Sequence, residues 1–102
     1  MLIRCERQGT ALKAKPAGEL DHHNADFVRE ELEGMLKDEG IKELVLDLSS
    51  LTFMDSSGIG VILGRCRTMQ KRGGKVSVMN MSSQIDRILK MSGLYQLINK
   101  IG

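Results

Sequence analysis

Residues 44–64 read Leu-Val-Leu-Asp-Leu-Ser-Ser-Leu-Thr-Phe-Met-Asp-Ser-Ser-Gly-Ile-Gly-Val-Ile-Leu-Gly, and the change of pattern inside this stretch decides the fold. Leu44 to Leu48 is a short, nearly continuous apolar run, which predicts a strand buried on both faces, as in a parallel sheet. After it the period changes. Ile59, Ile62, Leu63, Cys66 and Met69 share one helical stripe, and Gly73-Gly74 ends it.

The same alternation continues outward. Downstream, Lys75 to Met79 is another apolar strand, and Ser82 or Ser83 caps a helix with Ile85, Ile88 and Leu89 on its buried stripe. Gly93 closes that helix, and Leu97-Ile98 is expected as a last short strand. Upstream, Leu2–Glu6 and Thr10–Ala17 predict two strands joined by a turn at Gln8-Gly9. The second is weak, with Ala14 and Pro16 where β-branched residues would serve better. Val28, Leu32, Met35 and Leu36 mark a first helix, with Asn24 as its N-cap, Asp26 in its first turn and Gly40 past its end. Strands alternating with helices imply right-handed crossovers, and the opening hairpin makes the sheet mixed. The expectation is one α/β domain over residues 1–102, with a mixed, mostly parallel sheet packed against helices.

Composition narrows the function. The 102 residues are 41% hydrophobic and 27% charged, ordinary for a folded domain. No apolar run approaches the roughly 20 residues of a membrane span, and the N-terminus lacks the apolar segment of a signal peptide. Cys5 and Cys66 form no disulfide framework and no C-x-x-C, so a cytoplasmic location is expected. Fifteen basic and 13 acidic residues are interspersed, and two Phe, one Tyr and no Trp offer little for base stacking. Nucleic-acid binding is therefore not expected. A monomer is expected from the lack of a large apolar surface stripe. Of the seven Met, Met54, Met81 and Met91 are expected to be the more exposed.

The densest chemical information lies in Phe53 to Gly60. Asp55, Ser56 and Ser57 are all good N-cap residues, so one reading is simply a well-capped helix. Two features argue for more. Gly58, Gly60 and Gly64 fall in the helix, where a glycine costs roughly 1 kcal/mol relative to Ala, so the domain's own sheet or a partner must approach closely. Two hydroxyls also stand at the positive end of the helix, where an added phosphate would be tolerated or slightly favoured. Sharper motifs fail. G-x-S-x-G is absent, the Gly58-x-Gly60 pattern lacks the setting of a dinucleotide loop, and no Gly-Lys-Ser/Thr exists. A nucleotide-binding or hydrolysing domain on the same frame would lack a phosphate loop and a general base. His22 and His23 beside Asp21 and Glu19 suggest a metal only superficially. Adjacent residues point apart and no third ligand is spaced to help, so the segment reads as a polar loop beside Asp55–Gly60. No metal and no cofactor are called for.

Gly18-Glu-Leu-Asp-His-His23, Leu44–Leu48, Leu51-Thr-Phe-Met-Asp-Ser-Ser-Gly-Ile-Gly-Val-Ile-Leu-Gly64 and Met91-Ser-Gly-Leu94 together resemble the STAS domain family, in order and over nearly the whole chain. Within it they are most similar to the anti-sigma factor antagonists of bacterial sporulation. The resemblance implies a switch that is not an enzyme. The unphosphorylated antagonist binds an anti-sigma factor that is also a serine kinase of the histidine-kinase-like ATPase fold, and so frees the sigma factor. Phosphorylation by that kinase releases the antagonist, and a metal-dependent serine phosphatase resets it. Carried over residue by residue, the phosphorylated serine is Ser56. Partner contacts fall on Glu19, Asp21, His22, Asp55, Ser56, Ser57, Gly58, Ile59 and Gly60. A general-stress pathway of the same type is the alternative. The family commonly carries a further helix after the last strand, whereas the sequence stops at Gly102.

Overall fold

The computed structural model describes residues 1–101. The chain opens with the expected hairpin, β1 (Leu2–Gln8) and β2 (Ala11–Leu20), turning at Gly9, whose φ is +62°. There follow α1 (Ala25–Met35), β3 (Glu43–Asp47), β4 (Leu51–Met54), α2 (Ser56–Lys71), β5 (Lys75–Met79) and α3 (Ser83–Met91). A short 3-10 turn (Leu94–Gln96) leads to β6 (Asn99–Ile101). The sheet runs β1-β2-β3-β5-β6, antiparallel only between β1 and β2, with β4 pairing β2 in parallel.

Register explains the core. Leu12, Leu44 and Val76 stand side by side across three strands, as do Ala14, Leu46 and Val78. All six are buried, and α1, α2 and α3 cover them with Val28, Leu32, Ile62, Met69, Ile85 and Leu89. Lys13 and Lys15 of β2, Val45 of β3 and Arg4 of β1 point to the other side, which carries no helix and stays at least partly exposed.

Several expectations need correction. β3 is fully buried only on the helix face: on the other, Glu43 and Val45 are half-exposed, and the buried residue there is the polar Asp47. The last strand is Asn99–Ile101 rather than Leu97-Ile98, because the 3-10 turn swings Ile98 into the core first. β4, four residues long, was not foreseen as a strand at all. Met54, expected near the surface, is buried at its end; Met91 is indeed exposed.

β2 is longer than expected because it serves two partners. Ala11–Ala14 pair with β3, and Gly18–Leu20 pair with β4. The ladder shifts at Gly18, whose φ of +115° suits glycine and whose N–H donates to the Ser50 carbonyl at 3.0 Å. Pro16, which has no N–H to give, falls between the two ladders. This bend carries the ends of β2 and β4 to one place, Leu20 opposite Met54.

Candidate functional site

The site is built where β2 and β4 end together. Beyond Met54 the chain enters α2 through Asp55, whose extended backbone (φ −116°, ψ −169°) is that of an N-cap. Its Oδ1 accepts the Ser57 and Gly58 amides at 2.9 and 3.3 Å, and its own N–H donates to the Leu20 carbonyl at 3.3 Å. Oδ2 accepts the His22 amide at 3.2 Å and lies 3.7 Å from His22 Nδ1. One carboxylate thus ties the start of α2 to the loop after β2. Burial by itself pushes the Asp55 carboxyl up, but the amides of Gly58, Ser57 and His22, with the nearby imidazole, outweigh it and hold its pKa below the usual range.

The loop after β2 is organised from within. Asp21 Oδ1 accepts the amides of His23 and Asn24 at 3.0 and 3.1 Å, and the His22 and His23 rings lie 4.0 Å apart. Asn24 holds the N-cap position of α1 but makes no capping bond. Its backbone is already near-helical, and its side-chain amide turns back to the Glu19 carbonyl at 2.9 Å. Asp21 instead orders the turn before α1, its carboxylate taking the His23 and Asn24 amides and its carbonyl the Asn24 and Ala25 amides.

The predicted residues separate by environment. Ser56, the first residue of α2, is exposed, and its hydroxyl makes no side-chain hydrogen bond among the described residues. Ser57 and Ile59 are half-buried, Asp21 is half-buried, and Glu19 and His22 are exposed. The glycines divide sharply. A Cβ on Gly58 would lie 2.5 Å from the Leu20 carbonyl oxygen and 2.7 Å from Met54 Cγ, so this glycine lets α2 approach its own sheet. A Cβ on Gly60 or Gly64 would meet nothing within 4 Å.

Asp55 already holds the Ser57 and Gly58 amides, so those two donors are not open to a phosphate at the helix start. A phosphate on Ser56 would instead stand beside a fixed carboxylate.

The exposure of Phe53 and Phe27 was not foreseen from the sequence. Both are large apolar side chains left exposed, and Phe53 pairs in register with Glu19. The only signal for them was aromatic scarcity. Arg65 was missed as well. It is buried on the inner face of α2, where its guanidinium donates to the Arg29 carbonyl and to Glu33 at 3.2 and 3.3 Å, fastening α2 to α1. Among the described residues no three His, Cys, Asp or Glu side chains gather as a metal site, and no helix is long and apolar enough to cross a membrane.

The STAS domain family model matches residues 3–102. The chain belongs to the STAS domain family. This STAS domain is 38% identical over 96 residues to an anti-sigma F factor antagonist of Paenibacillus polymyxa, covering 94% of this chain and 82% of that one. It is 34% identical over 83 residues to the anti-sigma-B factor antagonist of Bacillus subtilis strain 168, covering 81% and 74%. Among solved structures, the Bacillus cell fate determinant SpoIIAA in its phosphorylated form superposes with a TM-score of 0.76 at 25% identity, covering 99% and 92% of the two chains. An anti-sigma factor antagonist from Mycobacterium paratuberculosis superposes at 0.86 with 20% identity, over 97% and 83%, which bears on the fold alone. By family, the STAS domain groups with anti-sigma factor antagonists.

Proposed function

We propose that this STAS domain is a non-enzymatic, cytoplasmic antagonist that, in its unphosphorylated form, binds an anti-sigma factor serine kinase of the histidine-kinase-like ATPase fold and frees a sigma factor. Phosphorylation of Ser56 by that kinase ends the interaction, and a metal-dependent serine phosphatase restores it. The observation that carries this reading is the pairing of an exposed, unengaged Ser56 hydroxyl with a rigid frame and an open approach. Asp55 fixes the backbone beside the hydroxyl, and Gly60, one turn on, leaves the space beside it empty. Glu19, Asp21, His22, Asp55, Ser57, Ile59 and Gly60 frame the contact, while Gly58, expected to touch the partner, is buried against Leu20 and Met54 and only holds the frame in place. The domain acts as a monomer and uses no cofactor and no nucleic acid.

The chemistry asks little of this chain. The Ser56 oxygen attacks the γ-phosphorus of the kinase's ATP, the bond to the leaving ADP oxygen breaks, and the hydroxyl proton passes to a base of the kinase. The product adds roughly −1.5 to −2 charge next to Asp55. Like charge and the desolvation of both groups then oppose docking, while the fold, whose contacts do not involve the Ser56 side chain, stays as it is. A sporulation pathway is preferred to a general-stress one because the anti-sigma F relative matches at 38% over 94% of the chain, the anti-sigma-B relative at 34% over 81%.

Mass spectrometry after mixing the chain with an anti-sigma F kinase and ATP tests the scheme. Wild type and Ser57→Ala are expected to gain one phosphate and Ser56→Ala none; normal labelling of Ser56→Ala would overturn it. Ser56→Asp is expected to lose kinase binding yet keep its far-UV circular dichroism. The same mixture with an anti-sigma-B kinase separates the two pathways. With ATP alone no turnover is expected.

A further inference from the structure

A mostly parallel sheet ordinarily has both faces covered. Among the described residues one face of β1, β2, β3, β5 and β6 carries no helix, and its composition is polarised across the strands. At the β1–β2 end Arg4 stands directly opposite Lys15, with Lys13 diagonally adjacent. Two cations in register repel, and neither they nor Lys13 form an ion pair within 4 Å among the described residues. Glu6, opposite Lys13, is the one exposed acid beside them. Asp47, at the end of β3, lies on the same face, but it is buried, and its carboxylate accepts the Ser49 amide and the Asn80 side chain at 3.0 and 3.2 Å. An open depression of about 330 Å³ is lined by Arg4, Lys13 and Lys15 together with Cys5, Glu6 and Asp47. At the β5–β6 end the same face presents Met79 opposite Ile101, and Ile101 is exposed.

We propose that this bare face is a second docking surface for a polypeptide segment that is acidic at one end and apolar at the other, separate from the Ser56 site. The charge decides the occupant. Glu6 and Asp47 offset two of the three positive charges of Arg4, Lys13 and Lys15, so one cation remains in excess for an acidic side chain to meet, and an apolar end would cover Met79 and Ile101. Arg4 pairs with Lys15, and Asp47, Met79 and Ile101 stand in register on the other side of the last β2–β3 pair, Ala14–Leu46; from β1 to β6 this face crosses four strand spacings, roughly 19 Å, the length of about 13 residues of helix. Glu6, Glu43 and Asp47 set the orientation by excluding acids elsewhere. Glu43 is itself engaged by Ser77 and Lys75.

The test uses the full chain labelled with nitrogen-15 and a synthetic helical peptide of about 14 residues, Glu-rich in its first half and Leu-rich in its second. The peptide is expected to shift the amides of β1, β2 and β5, to weaken as salt is raised, and to leave Ser56 and the loop after β2 unmoved. Arg4→Glu is expected to weaken binding about tenfold. It should fold normally with an unchanged or higher Tm, since it converts the repulsive Arg4–Lys15 pair into an attractive one. Lys13→Glu provides a second loss on the same face. Shifts confined to α2, no shifts at millimolar peptide, or equal binding by a peptide with Lys in place of Glu would overturn the proposal. So would an oligodeoxythymidylate that shifts the same amides at lower concentration, since the occupant would then be a nucleic acid. Phosphorylation of Ser56 is read separately and is expected to be the same in Arg4→Glu and wild type.

Discussion

The two faces of α2 carry glycine for opposite reasons. Gly58 points inward, and the missing Cβ is what allows the Leu20 carbonyl and Met54 to lie against the helix. Gly60 points outward into empty space, where nothing in this chain benefits from the missing side chain. Both cost the helix similar backbone entropy. The first cost is offset within the fold by packing. The second has no internal offset, and under the proposed function it is repaid only when a partner arrives. The same residue type in one turn of helix therefore marks a structural requirement and a functional one, and substitution tells them apart by sign.

The largest effect is expected from Gly58→Ala. Its new methyl group collides with backbone, which cannot swing aside, so stability falls by roughly 1–3 kcal/mol or more. For a domain of this size each kcal/mol lowers Tm by about 4–8 °C in a thermal melt. A neutral outcome would erase the contrast. Gly60→Ala is expected to do the reverse, raising stability by up to about 1 kcal/mol in chemical denaturation, while weakening capture by the anti-sigma factor. If it binds as well as wild type, the open face is not where the partner comes close.

Asp55→Asn sharpens the comparison through pH. The folded pKa of Asp55 lies below its unfolded value, near 3.9, so its stabilisation is fully present above that value and is lost as pH falls through the folded pKa. The stability gap between wild type and Asp55→Asn is therefore expected to be largest near neutral pH and to shrink below pH ~4. Denaturant midpoints at several pH values would show it. A gap independent of pH would mean that the charge of the cap contributes nothing. Ser57→Ala should do least, within about 0.5 kcal/mol, as Ser57 contributes its amide to Asp55 and the substitution keeps it.

Local signals made much of this fold legible. Ser82 caps α3 by accepting the Ile85 amide, and Gly93 follows that helix with φ +79°, because both devices act within a few residues. The order Asp55-Ser56-Ser57-Gly58 marked a helix start for the same reason. What stayed hidden acts at distance or against type. The His22 amide bonds Asp55 across 33 positions, so no spacing rule reveals it. An arginine on the buried stripe of α2 reads as an interruption until the Arg29 carbonyl and Glu33 are found against it. β4 is too short and too exposed to announce itself, with Thr52 and Phe53 both open to solvent.

Tyr95 offers a further case. Its hydroxyl donates to Asp86, and Lys100 reaches the same carboxylate at 3.0 Å, so α3, the 3-10 turn and β6 are joined through one acid. Burial and the neighbouring carboxylate hold the Tyr95 phenol protonated well past its ordinary range.

The tight seat of Gly58 on the Leu20 carbonyl has a consequence for substrate recognition. Under the proposed function, a kinase that meets Ser56 meets a preformed corner of a solid object, not a flexible tail it can thread. Selectivity must then be read from three-dimensional shape, and a free peptide copied from residues 51–64 should be a poor phosphate acceptor even though it contains every letter of the motif.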